Sequence, residues 1–139
     1  MILCMTTDDI GIVEEAYDDY DQGVFGIPFC YLPKHSFGGM LGNSENLFIS
    51  AHGNDEEIGN EVGTPAYTPT NLKSVLSNDI LPGNYTGKIY ISACGSAPVY
   101  VNALRAALGK AYAGRVFGMF GDTDYTIALP TSRSWRMAT

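Results

Sequence analysis

Short apolar blocks alternate along the chain with longer amphipathic or polar stretches, and that alternation predicts the elements. Ile2 to Met5 reads as a first buried strand, after which Thr6 or Thr7 with Asp8 and Asp9 supply caps for a helix. That helix is expected from Ile10 to Tyr20, with Ile10, Val13, Tyr17 and Tyr20 on the inner face and Glu14, Glu15, Asp18 and Asp19 turned outward. Val24 to Leu32 is apolar enough for a second strand, in which Gly26 and Pro28 argue for an edge or a kink. The Gly-rich stretch from Pro33 to Asn43 reads as loop, and Leu47 to Ser50 as a third strand running into His52-Gly53.

Residues 54 to 68 suit an excursion with a small hairpin around Asn60. Thr68-Pro69 opens a helix to about Asn78 with Leu72, Val75 and Leu76 inward. Pro82-Gly83-Asn84 turns the chain into a strand from Lys88 to Ser92, followed at once by Ala93-Cys94-Gly95. A helix from Pro98 to about Tyr112 carries Val101, Leu104, Ala107 and Leu108 as its stripe, and Gly114 closes it. Val116 to Phe120 is another strand, Tyr125 to Leu129 a further one, and Pro130 to Thr139 a polar tail. Strand and helix alternating in this way predict an α/β domain, a mostly parallel sheet with helices on both faces.

Two of these strands end alike. Phe48-Ile49-Ser50 runs into His52 and Gly53, and Tyr90-Ile91-Ser92 into Cys94 and Gly95. Parallel strands lying side by side would bring His52 and Cys94 to the carboxyl edge of the sheet, where open α/β sheets place their sites. A thiol beside an imidazole is a nucleophile with its base. Gly53 lets a substrate approach the backbone, and the amides of Gly53 and Cys94 together would make an oxyanion hole. Cys4 and Cys30, embedded in apolar runs, read as small core hydrophobes, and His35 as an ordinary loop residue.

Composition narrows the function classes. The 139 residues are 45% hydrophobic and 12% aromatic, enough for one buried core. Eight Lys and Arg against 15 Asp and Glu give a net charge of -7, which leaves nucleic acid without an electrostatic footing. No apolar run approaches the length of about 20 residues that a membrane span needs. Three cysteines cannot all pair, and Met1 to Met5 followed by Asp8 and Asp9 does not read as a secretory leader, so a reducing, cytoplasmic compartment is expected.

Other thiol chemistries fail on spacing. A phosphatase loop needs arginine six residues after the cysteine, where Tyr100 stands, and a Cys-x-x-Cys motif would need cysteine at Ala97. A serine elbow at Ser96 would need glycines where Cys94 and Pro98 stand. Three scattered cysteines and two histidines do not supply the short spacings of a zinc motif.

The pair Phe48-Ile49-Ser50-Ala51-His52-Gly53 and Ile89-Tyr90-Ile91-Ser92-Ala93-Cys94-Gly95 resembles the caspase-like cysteine peptidases, the clan that also holds gingipains, clostripain, legumain, separase and toxin self-processing domains. The resemblance covers roughly residues 47 to 136. It implies a caspase-like three-layer sandwich, His52 as general acid and base, Cys94 as nucleophile, and the Gly53 and Cys94 amides as the oxyanion hole. Ser134-Trp135-Arg136 is similar to the Ser-Trp-Arg of animal caspases, whose arginine lines a pocket for an acidic residue before the scissile bond. The glutamine of the caspase Gln-Ala-Cys is replaced here by Ser92, and Asp122 or Asp124 would instead favour a basic residue, as acidic pocket residues do in several relatives.

The sequence thus leads to one domain over residues 1–139, either minimal or a fragment of a longer chain, acting as a cysteine endopeptidase on peptide or protein substrates. It is expected to need no cofactor or metal, to bind no nucleic acid and no membrane, and to favour a basic residue before the scissile bond. A pocket for an acidic residue and a non-catalytic scaffold of the same fold are the alternatives, and homo-oligomerisation is left open.

Overall fold

The apolar blocks pair into one central sheet in the computed structural model, which describes residues 1–139. In chain order the elements are β1 (Ile2–Cys4), α1 (Ile10–Asp21), β2 (Pro28–Cys30), β3 (Leu47–Ser50), β4 (His52–Gly53), β5 (Ile58–Gly59), β6 (Ala66–Tyr67) and α2 (Pro69–Val75). A π-helical turn (Leu76–Ile80) extends α2, and β7 (Ile89–Ser92), α3 (Val99–Leu108), β8 (Val116–Met119) and β9 (Trp135–Met137) complete the chain. The sheet order is β2-β1-β3-β7-β8-β9, parallel throughout except for β9, which runs antiparallel to β8. A separate antiparallel sheet of β4, β5 and β6 carries the hairpin expected around Asn60.

Alternation along the strands divides the core in two. Leu3, Leu47, Ile49, Ile89 and Ile91 face Leu72 and Leu76 of the α2 segment and Tyr100, Val101 and Leu104 of α3. Ile2, Cys4, Phe48 and Tyr90 face Ile12 and Ala16 of α1, together with Phe25, Ile127 and Trp135. Helices therefore cover both faces. On the α1 side Phe48, Tyr90 and Phe117 occupy one rung of three neighbouring strands, with successive ring centroids 4.7 and 4.9 Å apart and Trp135 4.9 Å from Tyr90. Such cross-strand aromatic pairs pin the register. No helix is long and apolar enough to cross a membrane.

Caps form as the sequence predicts at α2, where Thr68 Oγ1 accepts from Asn71 N at 3.2 Å and Pro69 takes the first position. Five expectations need correction. The buried face of α1 is Ile12, Ala16 and Asp19, while Ile10 and Tyr17 lie 71% and 55% exposed. The small Ala16 lets the helix sit close on the sheet, and bulk at Ile10 and Tyr17 misleads the periodicity. In α3 the buried residues are Tyr100, Val101 and Leu104, and Ala107 is exposed. Tyr125 to Leu129 is an irregular segment, whereas the supposed polar tail forms the edge strand β9 and buries Trp135. Cys30 is exposed because β2 is the outermost strand, as Pro28 had suggested for that segment.

Candidate active site

Register decides where the reactive side chains go. Ser50 lies opposite Ser92 in the β3–β7 pair, so His52 and Cys94, each two residues further on, leave the sheet at the same level. There the two strand ends touch. A Cβ added to Gly53 would come within 2.9 Å of the Ala93 Cβ and 3.3 Å of the Cys94 carbonyl oxygen. Glycine at position 53 is thus required by the contact between the strands, a packing reason beyond the substrate access read from sequence.

The Cys94 turn is strapped to the extension of β8. Gly95 N donates to Gly121 O at 2.8 Å and Ala97 N to Met119 O at 2.9 Å. The buried Ser96 hydroxyl donates to Ile91 O at 3.0 Å and accepts from Met119 N at 2.9 Å, so the serine beside the thiol is a structural tie. Thr123 N donates to Cys94 Sγ at 3.3 Å, and that donor comes from the strap rather than from the first turn of α3. The Cys94 amide itself has no acceptor within the chain.

His52 is held from the other side of the sheet's centre. The chain reaches outward from β1 to β2 and then returns to β3 on the opposite side of β1, which makes a switch point between β1 and β3. Asp9, leaving β1, meets His52, leaving β3, with Oδ2 2.9 Å from Nε2. The same oxygen accepts from the Tyr125 hydroxyl, and Oδ1 accepts from Gly11 N at 2.9 Å as the N-cap of α1. These donors, the tyrosine foremost, hold the Asp9 carboxyl below its usual range. The carboxylate in turn pushes the Tyr125 phenol up to about 12. With Nε2 committed to Asp9, Nδ1 is the ring nitrogen left for other chemistry. Asp9 is the member of the site that the sequence reading missed. It looked like a helix cap, which it also is.

His52, Gly53 and Cys94 line one pocket of about 180 Å³, with Asn54, Glu57 and Glu61 on its wall. The hairpin that brings Glu61 there is tied to the end of β1. Asp8 accepts from the amides of Glu61 and Val62, each at 3.1 Å, and Thr7 N donates to Asn60 Oδ1 at 2.6 Å. The Val62 amide does most to hold the Asp8 carboxyl low. Ligand atoms of Asp9, His52 and Glu61 lie within 4.8 Å of one another.

Of the residues proposed for substrate binding, Asp122 and Asp124 sit in the loop that passes Cys94, outside the pocket lining. Both are exposed, and Asp124 Oδ1 accepts from Thr126 N at 3.0 Å. Arg136 is on β9 opposite Gly118, and its guanidinium donates to Arg133 O at 2.7 Å. The structure thus brings His52, Gly53 and Cys94 together and leaves Arg136 apart from them. His35 is exposed in its loop, its ring edge-on to Phe37. Comparison of the chain with protein-family models, with curated proteins and with solved structures gives no match.

Proposed function

We propose that the domain is a caspase-like cysteine endopeptidase. The observation that carries this reading is the placement of His52 and Cys94 at one level past β3 and β7, lining one pocket, with the imidazole braced by Asp9. The Cys94 thiol passes its proton to His52 as its sulfur attacks the peptide carbonyl carbon, and the carbonyl oxygen takes up the charge facing the unpaired Cys94 amide, with Gly53 N as second donor. Collapse of the tetrahedral adduct breaks the C–N bond as imidazolium His52 gives its proton to the leaving amine. Water, losing a proton to His52, then attacks the thioester, which releases the acid and restores the thiol. Asp9 acts as a positioning residue in the sense of a triad's third member.

Pocket charge supports a basic residue before the scissile bond. Glu57 and Glu61 stand on the wall, no Lys or Arg lines it, and Asp122 and Asp124 lie in the adjoining loop. Arg136, turned to Arg133, gives no support to an acidic preference. Free Cys4, Cys30 and Cys94 fit a reducing compartment such as the cytoplasm.

A fluorogenic panel with arginine, lysine, aspartate or small apolar residues before the scissile bond, run beside a thiol-reactive probe, tests both parts. Expected are cleavage after arginine or lysine and labelling of Cys94 ahead of the exposed Cys30. Cleavage confined to aspartate and lost in Arg136→Ala overturns the preference. No hydrolysis and no selective labelling overturns the enzyme in favour of a binding domain.

A further inference from the structure

We infer that Asp9, His52 and Glu61 form a binding site for a first-row divalent transition metal of the zinc class. Three ligand atoms from three separate parts of the chain converge within 4.8 Å, one imidazole nitrogen and two carboxylates. A cation drawing bonds of about 2.0–2.2 Å would need the exposed Glu61 side chain to move inward by roughly one ångström or a little more. Its backbone needs no such movement, because Asp8 already fixes the Glu61 and Val62 amides.

Charge supplies the second line of argument. The chain has two ion pairs, Met1 amino to Glu45 and His52 to Asp9, so no Lys or Arg offsets Asp8, Asp9 or Glu61. The Glu61 carboxylate accepts no hydrogen bond although its backbone is pinned beside two other carboxylates. Even with its imidazole protonated, the cluster sets one positive charge against the three carboxylates of Asp8, Asp9 and Glu61, and that excess favours a divalent cation. The imidazole nitrogen selects a borderline-soft ion over calcium or magnesium, which take all-oxygen shells. The pocket lined by His52 and Glu61 leaves room for water in the open coordination positions.

Resting on the peptidase reading, occupation of this site has a consequence. A cation on Nε2 displaces the proton that His52 shares with Asp9 and opposes a second proton on Nδ1. The ring then fails as general acid for the leaving amine, and the metal inhibits.

Calorimetric titration with zinc chloride tests the site in the Cys94→Ala protein, where the catalytic thiol cannot bind the ion. Binding is expected there, weakened about tenfold or more when Glu61→Gln is added. Because Glu61 is exposed, the thermal midpoint should report that the double variant still folds. Undiminished affinity in the double variant, or none in Cys94→Ala while wild type binds, overturns the site and assigns the ion elsewhere, in the second case to the thiol. Cobalt should give a spectrum without a new thiolate charge-transfer band in wild type relative to Cys94→Ala, and such a band likewise overturns it. Zinc binding through Glu61 in a protein that hydrolyses no peptide upholds the site and removes the peptidase reading, so the two fail separately.

Discussion

The two central strand ends of the sheet and the two that flank them contribute different things. At the ends of β3 and β7 stand His52 and Cys94, the proposed acid–base and nucleophile; at the ends of β1 and β8 stand the groups that hold them. Each flanking strand serves its central neighbour. Asp9 after β1 bonds His52 after β3, and the Thr123 amide after β8 bonds Cys94 after β7. Tyr125 closes the arrangement by reaching from the β8 side back to Asp9. On the peptidase reading, reacting groups in the middle and supports at the flanks imply a graded set of losses.

The largest loss is expected at the centre. Cys94→Ala should reduce peptide hydrolysis by about 10³-fold or more, as removal of a nucleophile does in triad enzymes. Its thermal midpoint should barely move, since Cys94 is only half-buried and the turn is strapped by Ser96 and Gly95. Activity assays and thermal melts on one preparation check both. An unfolded variant would make Cys94 a packing residue, and a fully active one would place the nucleophile elsewhere.

At the flank, Asp9→Asn should lower kcat by about 10- to 100-fold, less than the roughly 10⁴-fold seen for the serine-protease counterpart, because a cysteine is the more intrinsically nucleophilic attacker. Asp9 also caps α1, and the two duties separate by substitution. Asparagine keeps the cap, whereas Asp9→Ala should cost about 1 kcal/mol of stability besides the activity. Equal stability loss in both variants would mean that the carboxylate charge, not the cap, holds that end of the helix. Tyr125→Phe removes one hydrogen bond to Asp9 and should cost roughly fivefold in kcat, the equivalent of about 1 kcal/mol. A loss there exceeding that of Asp9→Asn would invert the assignment of support and supported.

The same division explains what was legible in the sequence. His52 and Cys94 announce themselves because a reactive residue ending an apolar strand is a local pattern. The supports are not local. Asp9 lies 43 residues from His52 and reads as a cap, which is true but incomplete. Thr123 acts through its backbone amide, which leaves no mark on residue type. Strands and helices emerged near their places because apolar blocks are bounded by Gly, Pro or capping residues, as at Thr68-Pro69, although α3 ends at Leu108 with Gly109 as its cap, short of the expected Gly114. Edge strand β9 was lost among polar letters, because an outer strand needs one buried face and Trp135 alone supplies most of it.

Asp19 carries the smallest expected effect on catalysis and sharpens the contrast most directly, because it stands at the other end of the helix that Asp9 begins. Asp9 gathers donors and stays ionised, whereas Asp19 is fully buried, with Oδ2 accepting from Ile127 N at 3.0 Å and Oδ1 unpartnered. Burial, the main cause, raises its carboxyl to about 6 from an ordinary 3.8. The folded state therefore binds more protons than the unfolded state between about pH 4 and 6, and this group's contribution to stability falls as pH rises through that window, then levels off. Other carboxyls run the opposite way, Asp8 and Asp9 among them, so the whole-protein curve hides the effect and a difference is needed. Asp19→Asn keeps the acceptor for Ile127 without the buried charge. Relative to wild type it should gain up to about 3 kcal/mol at pH 8, a rise of about 10 °C in Tm, and about a third of that at pH 4.5, where the folded carboxyl is neutral but the unfolded one is already largely ionised. Melts of both proteins across that range decide it. A pH-independent difference would mean that the Asp19 carboxylate finds a compensating donor in solution, and the helix would then have two satisfied ends instead of one.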